Sequence, residues 1–285
     1  MHPKVFIVAQ YLIPQALLSR LIGWVARCPW GFIKNRFIEK FIQRYNVDMA
    51  QALEENPRAY KHFNAFFTRA LKPGARPICE GEHTLACPAD GAISQLGEIK
   101  NGRIFQAKGQ EFSLLELLGG QEDLAAAYQD GLFATVYLSP KDYHRVHMPQ
   151  AGELVRMVHI PGDLFSVNAV TAEQVPRLFA RNERVVCHFS TPHGPMAVVL
   201  VGAMIVASIE TPWAGVVAPT RNTVRTTHYG TSPTVTLEKG AEMGRFLLGS
   251  TAIVLLPKSF GRWREDLQAG SPVVMGERLA DRGKA

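Results

Sequence analysis

The sequence predicts an α+β protein in which N-terminal helices precede a largely antiparallel, β-rich body. Three observations carry this. Helix-period apolar patterns fill the first 72 residues, the pattern changes after Lys72-Pro73-Gly74 to short apolar runs bounded by Gly and Pro, and the cationic excess is confined to the first part. The 285 residues carry a formal net charge of +6. Within residues 1–46, Lys4, Arg20, Arg27, Lys34, Arg36, Lys40 and Arg44 face Glu39 alone, so the rest of the chain balances to zero. A chain basic throughout would suggest nucleic acid; a neutral body with a basic, apolar end suggests an anionic surface met by that end. At 47% hydrophobic and 20% charged, the composition excludes a disordered, collagen-like or polytopic membrane chain.

Residues 5–19 (VFIVAQYLIPQALLS) form an apolar run broken by Gln10, Pro14 and Gln15. It is too short and too interrupted for a spanning helix, which needs about 20 apolar residues. A signal peptide would want an unbroken apolar core and a small-residue cleavage site, and neither is present before Arg20. Residues 33–45 (IKNRFIEKFIQRY) have helical periodicity, with Ile33, Phe37, Ile38, Phe41, Ile42 and Tyr45 over about half the circumference. Arg36, Lys40 and Arg44 line its margin. Such a helix can pack on the protein's own core or lie in a membrane interface with its cations on lipid phosphates. Nearby Trp24, Trp30 and Phe32 move the expectation toward the membrane.

Residues 48–71 read as helix interrupted at Pro57, with Tyr60, Phe63, Phe66 and Phe67 as apolar positions. A boundary is expected at 72–77, dividing a helical membrane-associating region, 1–72, from a β-rich domain, 73–285. Strands are expected at 92–99, 133–138, 144–148, 154–160, 184–189, 196–201, 203–209 and 251–256, and short helices at 114–118 and 122–128. Cys28, Cys79, Cys87 and Cys187 are scattered and form no C-x-x-C pair, which favours reduced, packed thiols.

The chemistry-bearing residues are modest one at a time. Gly249-Ser250 interrupts the apolar runs of EMGRFLLGSTAIVLL (242–256), where a bulge or close backbone approach is expected. No G-x-S-x-G accompanies the serine. Pro88-Ala89-Asp90-Gly91 is good turn chemistry. His144 and His147 form H-x-x-H, a metal pair if helical; on a strand, i and i+3 face opposite sides.

Together these blocks resemble the phosphatidylserine decarboxylases. The resemblance rests on Leu248-Gly249-Ser250-Thr251, PADG at 88–91, YLSPKDYHRVHMP at 137–149, PGDLFSVN at 161–168 and LFARNERVV at 178–186, in that order. It extends from the N-terminal helices to about residue 257; no block matches in 219–236 or in the last two dozen residues.

The resemblance implies self-cleavage at Gly249-Ser250, with Asp90, His147 and Ser250 as the charge relay, giving a β chain, 1–249, and an α chain, 250–285. The residue types suit the task, because a serine needs a base to take its proton and a carboxylate can orient that base. Ser250 would become a covalent pyruvoyl group by elimination and loss of ammonia. That group would form a Schiff base with the amine of phosphatidylserine, so that CO2 leaves and phosphatidylethanolamine results. His144 is the implied proton donor, its ordinary pKa near 6.5 suiting exchange at neutral pH. Phe165, Ser166 and Asn168 are candidate substrate-binding residues, and no metal is implied. A homodimer of αβ protomers, peripheral on the cytoplasmic face of the cell membrane, is the implied setting, with no nucleic-acid partner. The rivals are a serine or metal-dependent lipid hydrolase using His144 and His147, and a non-catalytic membrane-docking β domain.

Overall fold

A computed structural model describes residues 3–13, 15–204, 208–218, 223–230, 234–247 and 250–283. Four helices come first: α1 (Pro3–Leu12), α2 (Gln15–Ala26), α3 (Gly31–Tyr45) and the short α4 (Phe63–Phe67). None of the described helices is long and apolar enough to cross a membrane. Gln10 and Gln15, which break the apolar run, dock this end on the body. Leu164 N–H donates to Gln15 Oε1 (2.7 Å) and Ser166 N–H to Gln10 Oε1 (2.8 Å).

Helix α3 ends where Asn46 adopts a left-handed conformation (φ 52°) and returns its N–H to Ile42, a role that Asn tolerates better than most residues. The middle of its apolar face is not offered to a membrane, although Ile33 and Tyr45 at its two ends stay exposed. Ile38 is fully buried, and Phe37, Phe41 and Ile42 pack against Phe63, Phe66 and Phe67 of α4. The Phe41 ring lies 5.0 Å from that of Phe63 and 5.8 Å from that of Phe67. The expectation that this face meets lipid is therefore corrected: a separate aromatic core claims it. Exposed apolar side chains lie on α1, α2, the turn into α3 and the first turn of α3, with Leu12, Leu21, Trp24, Trp30 and Phe32 all more than half exposed.

The expected helix over 48–71 also shrinks. Asp48 Oδ1 accepts from Ala50 N, Asn56 Oδ1 accepts from Arg58 N, and only the single turn Pro57–Ala59 and α4 are helical. Side-chain oxygens that satisfy nearby backbone donors offer the chain an alternative to helix.

The β body runs as β1 (Thr84–Ala86), β2 (Gly91–Glu98), the hairpin β3 (Arg103–Ala107) and β4 (Gln110–Ser113), then helices α5 (Leu114–Leu117) and α6 (Glu122–Tyr128). It continues through β5 (Leu132–Leu138), β6 (Arg145–His147), β7 (Gly152–Ile160), helices α7 (Ala169–Gln174) and α8 (Leu178–Arg181), β8 (Arg184–Thr191) and β9 (Gly194–Val201). The last part holds β10 (Ile209–Thr211), β11 (Gly215–Ala218), β12 (Arg225–His228), β13 (Thr236–Leu237), β14 (Glu242–Phe246), β15 (Ser250–Leu256), β16 (Gly261–Trp263), β17 (Pro272–Val273) and β18 (Arg278–Arg282).

The principal sheet has the order β12-β7-β8-β9-β15-β5-β2-β17, with β13 also on β7, and its neighbours are antiparallel. Strand β15 is central and nearly all apolar because both faces are covered. Ala252, Val254 and Leu256 enter one core, and Ile253 and Leu255 the other, as the alternation of a strand requires. Smaller sheets β11-β10-β14-β6 and β1-β18-β16 flank it.

The strand expected at 203–209 is not formed as one element. Gly202 to Met204 lie outside any strand, 205–207 fall outside the described residues, and Ile209 opens β10. The chain leaves the principal sheet after β9 and enters the four-stranded sheet at β10.

Candidate active site

Strand β15 begins at Ser250, whose backbone pairs with Leu138 at the end of β5. Leu248 and Gly249 lie outside the described residues, and so does the side chain of Ser250. Thr251, the next residue, is fully buried and pairs with Tyr137 on one side and Val201 on the other. The chain after β5 turns through Ser139 to Tyr143, where the Asp142 carboxylate accepts from both Ser139 N and Ser139 Oγ (2.7 Å each). That turn delivers His144 and strand β6.

His144 is fully buried. Its Nδ1–H donates to the Asp142 carbonyl (2.8 Å), and its ring lies 3.9 Å from that of Phe67. Nε2 is buried with no partner among the described residues. Burial drives the imidazole pKa down to about 3, so the ring is neutral at pH 7 with a bare acceptor at Nε2. The ordinary pKa near 6.5 expected for His144 is not kept in this environment; a proton must first be given to the ring before it can be donated.

His147, at the end of β6, donates Nδ1–H to the Gly240 carbonyl (2.8 Å), while the Tyr143 hydroxyl sits 3.1 Å from Nε2. Burial lowers this imidazole pKa as well, opposed by the Gly240 hydrogen bond and by the charges of Glu242 and Asp90. Tyr143 is itself buried, and its phenol is pushed up to about 12, chiefly by desolvation. The Arg145 guanidinium ties β6 to Glu242 of β14 (2.9 Å) and to the Thr68 carbonyl (2.9 Å), fixing the strand that carries His147.

Asp90 is buried just before β2. Gly91 is required there, since a Cβ would collide with the Tyr137 carbonyl. The Asp90 carboxylate takes Arg76 along one edge, with Nε–Oδ1 at 2.8 Å and Nη2 on Oδ2, and accepts from Met275 N (2.9 Å). None of its hydrogen bonds goes to His147. The two are neighbours through the backbone, where His147 N–H donates to the Pro88 carbonyl (2.8 Å).

The 161–168 block reaches the same end of β15 indirectly. Asn182 Nδ2 donates to both the Phe165 carbonyl (2.8 Å) and the Gly202 carbonyl (2.9 Å), next to Val201. Phe165 is buried edge-on against Tyr11 (4.8 Å) and lies under the Arg181 guanidinium (4.9 Å). It borders a cavity of about 330 Å³ shared with Gln10, Gln15, Asp163 and Arg181. Ser166 Oγ bonds to Thr171 Oγ1 (2.6 Å), and Asn168 Oδ1 caps α7 by accepting from Thr171 N (3.0 Å). Ser166 and Asn168 thus have local structural partners. Arg76, Tyr143 and Glu242 were not singled out by sequence reasoning; Tyr143 lies within the DYHRVH block and Glu242 opens the 242–256 stretch, but nothing marked Arg76.

The phosphatidylserine decarboxylase family model matches residues 63–281, and a second model, PSD, matches residues 5–46. The chain is 62% identical over 282 residues to a protein of Pseudomonas entomophila, covering 98% of both chains. It is 61% identical over 283 residues to one of Ectopseudomonas mendocina, covering 99% of both. Each relative is named phosphatidylserine decarboxylase proenzyme. With a family model over most of its length and relatives this similar from end to end, the chain belongs to the phosphatidylserine decarboxylase family.

Proposed function

We propose that this chain is a proenzyme that cuts itself between Gly249 and Ser250 and then converts phosphatidylserine to phosphatidylethanolamine with release of CO2. The observation that supports the reading is that β5, whose end pairs with Ser250, leads into the turn carrying His144 and on to His147, whose N–H donates to the Pro88 carbonyl in the block that holds Asp90, in a chain of this family.

For cleavage, the Ser250 hydroxyl attacks the Gly249 carbonyl. His147 is the base: Nδ1–H is held by Gly240, which leaves Nε2 as the acceptor, and its lowered pKa keeps it neutral and ready. Tyr143 must yield Nε2 for this step. Asp90, held by Arg76, favours the imidazolium through its charge rather than by direct contact. The products are a β chain of residues 1–249 and an α chain of residues 250–285.

The pyruvoyl group derived from Ser250 supplies the electron sink for decarboxylation. The surroundings suit a polar group there, because His144 Nε2 is buried and has no partner among the described residues. His144 Nε2 relays to the carbon that loses CO2 the one proton that decarboxylation consumes overall, drawn from solvent. The packed Phe67 ring keeps water from its face.

Residues 1–72 serve as the membrane-associating region. The apolar side chains exposed on α1, α2 and the following turn enter the interface while nearby cations meet anionic lipid. The setting is peripheral, on the cytoplasmic face of the cell membrane, as a homodimer of αβ protomers. The test is CO2 release from phosphatidylserine vesicles with matching appearance of phosphatidylethanolamine. Wild-type protein that self-processes but releases no CO2 from this lipid would refute the substrate assignment.

A further inference from the structure

Arg69 is buried, only 4% exposed, directly after α4. Its Nη2 donates to the Lys141 carbonyl at 3.2 Å, yet Nε and Nη1 are buried with no partner among the described residues. Nη2 carries a second hydrogen, so at least one two-donor edge of the guanidinium stays open for a pair of oxygens. Asp90 is not its counter-ion, being occupied by Arg76. Asp142 supports the charge without bonding to it, its carboxylate being held by Ser139. The Phe66 ring lies 5.6 Å from the guanidinium carbon. A guanidinium remains charged even when burial lowers its pKa, and a buried charge short of acceptors is costly until an anion completes it.

The place is the candidate active site. Lys141, which holds Arg69, adjoins Asp142, whose carbonyl holds His144. Arg69 is also close enough to oppose protonation of His144. The headgroup offers two anions, a carboxylate and a phosphodiester. A cation fixed on the carboxylate would favour the ground state over the transition state in which that charge departs; on the phosphodiester it binds both alike.

We propose that Arg69 is the binding residue for the phosphodiester of the lipid headgroup, through the open edge of its guanidinium. The inference rests on the function proposed above. Wild-type, Arg69→Met and Arg69→Lys proteins are matured, self-cleavage is scored by denaturing gel, and CO2 release from phosphatidylserine in mixed micelles is measured. Glycerophosphoethanolamine, which keeps the phosphodiester and lacks the carboxylate, and free serine, which has the reverse, serve as inhibitors. Arg69→Met is expected to weaken inhibition by glycerophosphoethanolamine about 10- to 100-fold, to raise KM for the lipid, and to leave inhibition by serine unchanged. Arg69→Lys is expected to recover part of the loss and substitutes for Arg69→Met if that variant is not processed.

Unchanged inhibition by glycerophosphoethanolamine, or a loss confined to serine, would overturn the proposal. So would failure of both variants to self-process, which would assign Arg69 to the fold or to cleavage. A wild-type enzyme that releases no CO2 would fail the functional reading instead.

Discussion

The Tyr143 hydroxyl lies 3.1 Å from His147 Nε2, the nitrogen to which we assign the proton of Ser250 in the proposed self-cleavage. In the uncut chain the base is therefore already engaged by a buried neutral donor. Breaking that hydrogen bond costs about 1 kcal/mol. Tyr143→Phe should consequently leave self-cleavage intact and speed it by up to about fivefold, as followed by the decay of the full-length band. A slowing of tenfold or more would mean that the tyrosine hydroxyl carries the proton itself.

Arg76 and Asp90 form a mostly buried pair, with side chains 15% and 10% exposed. Removing one partner of such a pair strands the other charge. In a Ser250→Ala background, which holds the chain uncut, Arg76→Met should lower stability by about 3 kcal/mol, read from the urea midpoint. A loss under 0.5 kcal/mol would show that Asp90 does not depend on Arg76.

Burial lowers His144 to about 3 and His188 to about 4, the latter with Tyr128 Oη 2.7 Å from its Nδ1. Both rings are neutral in the fold, whereas the unfolded chain protonates them below about pH 6.5. The unfolded state thus binds more protons as pH falls, so stability is full above about 6.5 and declines toward pH 4, by about 1.4 kcal/mol per unit for each histidine. His188→Gln should make the slope of the urea midpoint against pH shallower by one proton. An unchanged slope would contradict a neutral, half-buried His188.

The aromatic residues near the N-terminus divide into two sets. Phe41 belongs to the core between α3 and α4, and Phe41→Ala should cost about 3 kcal/mol. Phe32 is 84% exposed, and Phe32→Ser should leave stability within about 0.5 kcal/mol while weakening binding to phosphatidylserine vesicles in sedimentation. If Phe32→Ser bound as wild type and Phe41→Ala alone lost binding, the surface assigned to lipid would be wrong.

This division marks the limit of what periodicity conveys. The repeat of Phe37, Phe41 and Ile42 made α3 readable, but not its partner, because periodicity shows that a face is apolar and not that the rings of Phe63, Phe66 and Phe67 on α4 cover it. Strand β15 was readable because both cores demand apolar residues from it. Residues 203–209 are just as apolar, yet the chain there passes between two sheets, which composition does not reveal. Asp90, His144 and His147 were marked out by resemblance to a family, since each alone had an ordinary structural explanation. Arg69 and Arg76 left no such mark; their importance arises from burial and from the partners they have or lack.

Intact-mass spectrometry of the folded wild-type chain and its Ser250→Ala variant, under denaturing conditions, tests the proposed self-cleavage. The wild type should separate into a chain ending at Gly249 and a 36-residue chain, 250–285, blocked at its N-terminus by pyruvoyl, while Ser250→Ala stays whole and releases no CO2 from phosphatidylserine. A wild type that remains one full-length species after prolonged incubation, or a Ser250→Ala variant that still decarboxylates, would contradict it.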